Sequence, residues 1–301
     1  MDRVNWIIKF YARLHNYNIL PYWFLTPIRR IVRKSANRFI PKVLEERAYN
    51  TVREVDVIVS LTSYPARIDN VWQVVECMLR QTYLPKKIIL WLSLDQFTSH
   101  NNLPESLQSR IGERFEVRFV EGDIRSHKKY YYVSKENPES LIFLVDDDLY
   151  YPSDILEKTY NQYLSKPDSI VANYGYTITF YEDGTHKSYS EWKAVRGNYD
   201  GPNSFFGSGG GTLFKPSLMF KDFLDINKAL MLTPLADDIW INAMADLNRI
   251  PKYIIYSGLV LDIYSKDDTP LYKTNVGGGA NDKQLHDIEQ YYKDFNLFSK
   301  K

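Results

Sequence analysis

Leu141-Ile142-Phe143-Leu144-Val145-Asp146-Asp147-Asp148 is the stretch on which the reading of this chain turns. Five consecutive apolar residues suit a strand covered on both faces of a sheet. Three carboxylates at its carboxyl end repel one another unless a cation neutralises them. In open parallel sheets, ligands bind at that end of the strands. Oxygen ligands there suit Mg²⁺ or Mn²⁺, either of which can bridge a diphosphate. The plain alternative is an acidic turn with solvated charges, running into Tyr150-Tyr151-Pro152.

Working outward from this strand, similar ones alternate with helical patterns. Val55 to Thr62 reads as a buried strand, Thr62-Ser63-Tyr64-Pro65-Ala66-Arg67 as a polar loop, and Val71, Val74, Val75, Met78 and Leu79 as one helix face. Lys87 to Leu92 and Val117 to Val120 read as further strands. This alternation predicts βαβ units and a mostly parallel α/β sheet with helices on both faces. The second half is less regular. It suggests a strand over Ser169 to Phe180, a glycine-rich loop over Phe205 to Thr212 and a helix over Pro234 to Leu247. Strands near Tyr253 to Tyr256 and Leu259 to Ile263, a glycine run Gly277-Gly278-Gly279 and an amphipathic helix over Asp282 to Lys293 complete it.

The chain has 301 residues, 44% hydrophobic, enough for one large domain or two small ones. Its single cysteine, Cys77, falls in the apolar pattern of the first α/β helix and excludes a disulfide framework or a multi-cysteine metal site. The 38 Lys+Arg against 37 Asp+Glu argue against a globally basic nucleic-acid binder. That balance hides an asymmetry: residues 1–44 carry nine Lys or Arg and one acid, so +8 sits on a remainder of −7. Trp6, Ile7, Ile8, Phe10, Trp23 and Phe24 accompany these cations, at charge spacings too close for a membrane span of about 20 apolar residues. The compact apolar stretch and cleavage site of a signal peptide are also lacking. The composition suits an element lying on an anionic membrane surface, or an extension packed on its own domain. Pro21 and Pro27 are expected to break this region and Pro41 to end it, with a charged linker from Glu45 to Glu54. The division predicted is an N-terminal extension, 1–50, and a catalytic domain, 51–301, with a nucleotide-binding half to about residue 150. The 24 Tyr and 6 Trp lean toward wet, flat binding surfaces for carbohydrate.

Four motifs occur in order: the strand ending Val59-Ser60-Leu61-Thr62-Ser63-Tyr64, the aspartate triplet, the glycine-rich Phe206-Gly207-Ser208-Gly209-Gly210-Gly211-Thr212, and Ala236-Asp237-Asp238-Ile239-Trp240. Over about residues 54–265 the chain thereby resembles a GT-A fold glycosyltransferase, in particular the bacterial family-two-like enzymes that build surface polysaccharide such as capsule and lipopolysaccharide. The resemblance implies a Rossmann-like fold and a nucleotide-sugar donor, a UDP-sugar foremost. It implies a glycan or lipid-linked acceptor, Mn²⁺ or Mg²⁺ as cofactor, and a cytoplasmic enzyme, peripheral on the inner face of the cell membrane. By the same match Thr62, Ser63, Tyr64 and Arg67 lie along the nucleotide, and Asp146 contacts ribose or sugar. Asp147 is the variable middle residue and Asp148 a metal ligand with Asp146. Asp238, beside Asp237, is the base of an inverting reaction. Lys128 or Lys129 binds the diphosphate, Gly209 and Gly210 lie beneath the sugars, and His286 is a candidate metal ligand. Trp240 and Trp192 suit stacking on a sugar face and packing in the core equally. The second strand departs from the pattern: it ends Ser93-Leu94-Asp95, without the usual Asp-Gly-Ser turn.

The residues ask for the same chemistry. A departing diphosphate gains negative charge, which cations must stabilise, and the attacking hydroxyl must lose a proton to a positioned carboxylate. The plain role for Asp238 is an acid at a helix start, interacting with the helix dipole. Two other functions compete. A nucleotidyltransferase should carry a glycine-rich loop directly after its first strand, where this chain has Leu61 to Arg67. A non-catalytic sugar-binding protein would have no use for the acids.

Overall fold

The computed structural model describes residues 3–16, 22–47, 49, 51–99, 102–259, 261–264 and 279–300. Pro21, Gly277 and Gly278, all named above, lie outside them, as does Asp2, the one acid of residues 1–44. The helices are α1 (Arg3–Asn16), α2 (Tyr22–Glu45), α3 (Val71–Leu79), α4 (Glu105–Gln108), α5 (Lys128–Glu136), α6 (Ile155–Ser165), α7 (Ile226–Leu232), α8 (Asp237–Leu247) and α9 (Ala280–Tyr291). The strands are β1 (Arg53–Thr62), β2 (Tyr83–Ser93), β3 (Phe115–Val120), β4 (Leu141–Val145), β5 (Ile170–Ala172), β6 (Gly175–Thr177), β7 (Lys193–Ala194), β8 (Ser204–Phe206), β9 (Gly210–Phe214) and β10 (Lys252–Ile254).

Seven strands form one sheet in the order β10-β5-β9-β4-β1-β2-β3, in which β9 alone runs antiparallel to its neighbours. Alternation along β1 explains the layering. Val57, Val59 and Leu61 point into a cluster with Val71, Val74 and Val75 of α3 and Ile155 and Leu156 of α6. Ile58 joins the opposite cluster with Tyr130 and Val133 of α5 and Ile239 and Trp240 of α8. Both faces are therefore covered, as the apolar strands require. Strand order reverses between β1 and β4, and this switch point opens the crevice where a doubly wound sheet binds ligand.

Several elements differ from the sequence expectation. The strand foreseen over Ser169 to Phe180 is two: β5 in the main sheet, and β6 in a three-stranded sheet of order β7-β6-β8. The glycine-rich stretch is mostly β8 and β9, joined by a turn at Gly207-Ser208-Gly209. Neither Pro27 nor Pro41 interrupts α2. An internal proline costs about 3 kcal/mol, and burial of Leu25, Ala36, Ile40, Val43 and Leu44 along the inner face offsets it. Val4, Ile8 and Tyr11 of α1 enter the same apolar cluster as β1. After β10, no strand forms over the described residues of 259–263; Asp262 makes an isolated bridge to Leu149. Cys77 is buried on α3.

Candidate active site

At the switch point lies a cleft of about 1030 Å³, bordered by the carboxyl ends of β1 and β4, the start of α5, the β8–β9 turn and the first turn of α8. Thr62, Ser63, Tyr64, Arg67, Lys128, Lys129, Asp146, Asp147, Asp148, Gly209, Gly210, Asp237 and Asp238 all line it. Residues far apart in sequence are thus brought to one place by the β1–β4 pairing and the insertion of β9.

The three aspartates of the triplet have different surroundings. Asp147 turns inward: its side chain is 8% exposed, accepts from Ser63 Oγ at 2.6 Å, and is paired with Arg67 Nη1 at 2.8 Å. Burial raises its carboxyl above the ordinary range even against that cation. Arg67 also reaches Asp148 Oδ2 at 2.8 Å, and Asp148 keeps 31% exposure toward the cleft. Asp146 is 42% exposed and paired with Lys129 Nζ at 2.7 Å. Its backbone N–H donates to Gly209 O at 3.0 Å and to Tyr151 Oη at 2.8 Å.

Gly209 lets the Asp146 carboxylate lie directly against the turn. A Cβ there would stand 1.8 Å from Asp146 Cγ, well inside van der Waals contact. The strand expected to carry metal ligands is therefore held side-on against the glycine turn.

Lys129 joins the two acidic motifs. Its ammonium, 5% exposed, lies between Asp146 and Asp237, 2.9 Å from Asp237 Oδ2. Burial alone would lower it, but the flanking carboxylates outweigh burial and hold it well above the usual lysine range. Burial also works against ionisation of Asp237, but Lys129 and the Ser208 hydrogen bond, together with the neighbouring His127, keep this carboxyl below the usual range. Next to it, Asp238 is pushed up to about 6 by burial first and the Asp237 charge second. Ser208 fastens both: its Oγ donates to Asp237 Oδ2 at 2.6 Å and its N–H to Asp238 Oδ1 at 2.7 Å. The loop entering α8 is braced by His127, fully buried, whose Nε2 lies 2.7 Å from Thr233 O. Burial lowers that imidazole, so it is neutral and donates to this carbonyl.

Other predicted residues lie elsewhere or have other partners. Trp240 is fully buried in the core, its Nε1 donating to Phe223 O at 3.0 Å, so stacking on a sugar is corrected to packing. It lies on the inward face of α8, two residues beyond the acid that faces the cleft. Trp192 is likewise buried, donating to Lys187 O at 2.9 Å. The aromatic residues that do line the cleft are tyrosines, among them Tyr174, Tyr176, Tyr189 and Tyr256. His286 is exposed on α9 and is not part of the cleft wall; one helical face away, Asn281 is. Lys128 is paired with Asp123, and Thr62 Oγ1 donates to Trp91 O at 2.8 Å. Asp95 is exposed and outside the cleft wall.

Sequence reasoning missed Ser208 and Tyr151, which hydrogen-bond to the acidic motifs, and His15 and Asn16 at the end of α1, which line the cleft. The serine within Gly207-Ser208-Gly209 was a usable signal, being the one hydroxyl in a backbone-exposing turn. Nothing local to α1 announced its end as a cleft wall.

Among the described residues, no group of three or more His, Cys, Asp or Glu side chains is arranged to hold a metal ion. The donor set nonetheless suits Mg²⁺ or Mn²⁺ in the mode where one or two carboxylates share the ion with substrate phosphates. Asp146 and Asp148 keep cleft-facing oxygens for it; Asp147 is committed to Ser63 and Arg67.

No protein-family model matches the chain, and no curated protein does. Solved structures align with it weakly. The 4-diphosphocytidyl-2C-methyl-D-erythritol synthase of Anaerococcus prevotii covers 74% of this chain and 94% of its own at 12% identity, with a TM-score of 0.44. A second 4-diphosphocytidyl-2C-methyl-D-erythritol synthase covers 77% and 98% at 14% identity, TM-score 0.42. HddC from Yersinia pseudotuberculosis covers 56% and 78% at 14% identity, TM-score 0.34. None of the three bears a glycosyltransferase name, and likeness at this level decides neither family nor activity. The α/β class rests on the sheet itself.

Proposed function

We propose that the chain is a divalent-metal-dependent glycosyltransferase that moves a sugar from a nucleotide-diphosphate donor to a glycan or lipid-linked acceptor. One observation carries the reading: Asp238, a carboxylate raised to about 6, shares one cleft with the aspartate triplet at the switch point, joined to it through Ser208, Gly209 and Lys129. In this reading Asp238 takes the proton of the acceptor hydroxyl as that oxygen attacks the anomeric carbon. The bond from that carbon to the diphosphate breaks, and its electron pair leaves with the nucleoside diphosphate. A base titrating about one pH step below neutrality is ionised at pH 7 and more basic than an ordinary aspartate. Attack from the face opposite the leaving group inverts the centre.

Asp146 and Asp148 would hold Mn²⁺ or Mg²⁺ together with the diphosphate, and the ion would neutralise charge on the leaving group. Of the cationic run from Arg125 to Lys129, Lys128 and Lys129 are already paired with carboxylates and His127 is neutral in the core. Arg125 lines the cleft with no carboxylate partner among the described residues and is the cation assigned here to the diphosphate. Ser63, Tyr64 and Arg67 border the nucleotide, and Tyr174, Tyr176 and Tyr189 offer flat faces to a sugar. For partners, the reading adds an anionic membrane surface, met from the cytoplasmic side through residues 1–44.

Nucleotidyl transfer on the same cleft is the second reading. It is kept because two of the aligned structures are synthases of a diphosphocytidyl compound. Against it, the loop after β1 runs Ser63-Tyr64-Pro65-Ala66-Arg67 with no glycine to admit a triphosphate along the backbone.

One assay separates the two. The purified chain, with Mn²⁺, is incubated with a panel of nucleotide sugars and, separately, nucleoside triphosphates. Release of nucleoside diphosphate from one sugar donor, lost in Asp238→Asn and Asp148→Ala, supports glycosyl transfer. Release of pyrophosphate from a triphosphate without the other reaction overturns it.

A further inference from the structure

A helix on the surface of a globular protein turns one apolar stripe to the core and the rest to water. Helix α2 has two. Leu25, Ala36, Ile40, Val43 and Leu44 pack inward. On the outside, Phe24, Ile28, Ile31 and Phe39 recur at helical spacing and are 46%, 37%, 66% and 44% exposed, with Trp23 beside them at 75%. Alongside runs a row of cations every four residues, Arg30, Lys34 and Arg38, exposed and in no ion pair among the described residues. Helix α1 repeats the arrangement: Arg3, Trp6, Phe10 and Arg13 share its exposed face, with the Trp6 and Phe10 rings stacked 5.3 Å apart. Among the described residues of both helices, Glu45 at the very end is the single acid.

Exposed aromatic and aliphatic side chains beside unpaired cations need a partner that is apolar and anionic together. A second copy of this chain would cover the apolar stripe but bring like-charged rows into opposition. A nucleic acid would answer the charge and leave Phe24, Ile28 and Ile31 in water. The interface of an anionic bilayer answers both demands, taking the rings and aliphatic chains at the acyl boundary and the cations at the headgroups. Neither helix is long and apolar enough to cross a membrane, so the contact is lateral.

We propose that the outer faces of α1 and α2 dock on an anionic lipid bilayer, and that this contact presents the cleft to membrane-borne acceptors. The link to the cleft is short. His15 and Asn16, at the end of α1 and next to Arg13, line its wall, and Arg196, also in that wall, donates to Asn16 Oδ1 at 3.1 Å. Docking on α1 therefore sets the height of the cleft mouth above the headgroups. The acceptor half of this inference rests on the transferase reading; the docking half does not.

The test uses the full chain and vesicles of phosphatidylcholine with or without phosphatidylglycerol. Cosedimentation with the anionic vesicles, weakened by salt, is expected, with little on the neutral ones. Arg30→Gln/Lys34→Gln/Arg38→Gln should weaken partitioning by about a hundredfold, at a few-fold per cation. Phe24→Ser/Ile31→Ser should weaken it at unchanged net charge. Circular dichroism and release of nucleoside diphosphate from a soluble donor should be unchanged in both variants. Equal binding to neutral vesicles, no binding, or a dimer that the Ser variant converts to monomer would each overturn the docking. Vesicle binding without any donor turnover would leave the docking standing and defeat the transferase reading instead.

Discussion

Lys129 Nζ lies 2.9 Å from Asp237 Oδ2, and through this one ion pair the start of α5 is tied to the start of α8 across the floor of the cleft. With Asp146 on its other side, the ammonium pairs with one buried acid and one that faces the cleft. Removing one partner of a buried pair costs about 3–5 kcal/mol, since the remaining charge is left uncompensated. Lys129→Met should therefore lower urea stability by that order and abolish turnover. Adding Asp237→Asn to it should restore part of the stability and none of the activity. Full stability in the single variant would show the pair to be dispensable.

The pH profile follows from Asp238. Its carboxyl stands at about 6 against an ordinary 3.8, so turnover should fall as pH drops through about 6 and level off above. Folding stability runs the other way. A carboxyl raised in the native state contributes stability that is fully present below 3.8 and lost as pH rises through about 6. Asp238→Asn should thus melt higher than the parent at pH 8, while losing about 10²- to 10⁴-fold in rate. A variant melting lower at pH 8 would contradict the charge argument.

Gly209 tests the packing of the triplet. Gly209→Ala places a Cβ 1.8 Å from Asp146 Cγ, so that carboxylate has to move. Overpacking of this kind costs about 1–3 kcal/mol, and displacement of a positioned group by about 1 Å costs on the order of 10²-fold in rate. Thermal melting and initial rates, measured together, should show both losses. Near-parental turnover would mean that Asp146 has no fixed place in the reaction.

Chelation addresses the carboxylates that face the cleft. EDTA should abolish nucleoside diphosphate release, and Mn²⁺ or Mg²⁺ should restore it. Asp148→Asn should raise the Mn²⁺ concentration for half-restoration by roughly 10–100-fold. Asp147→Asn should act chiefly on stability, because its carboxylate is spent on Ser63 and Arg67. Unchanged turnover in EDTA would remove the metal from the proposal.

Much of this was local and therefore legible. The apolar run Leu141 to Val145 is a strand wherever it is placed, and its acids must sit at the strand end; the same holds for β1, β2 and α3, whose periods are written into consecutive residues. Asp237 and Asp238 at a helix start were equally plain. The glycine-rich stretch misled because glycine weakens a strand signal, yet here the missing side chains are what let β9 lie between β4 and β5, with Gly209 against Asp146. The prolines of α2 misled because a local cost was weighed without the buried face that outweighs it.

The sequence by itself determined the α/β class, the carboxylate end of β4 and the basic, aromatic character of residues 1–44, since composition and period act over a few residues. Tertiary structure alone decided which charges meet. The triplet is paired with Arg67 and Lys129, Asp238 is raised by burial beside Asp237, and the end of α1 becomes a wall of the cleft. Those outcomes depend on distance and desolvation between segments remote in sequence, and neither quantity exists until the sheet has set its strand order.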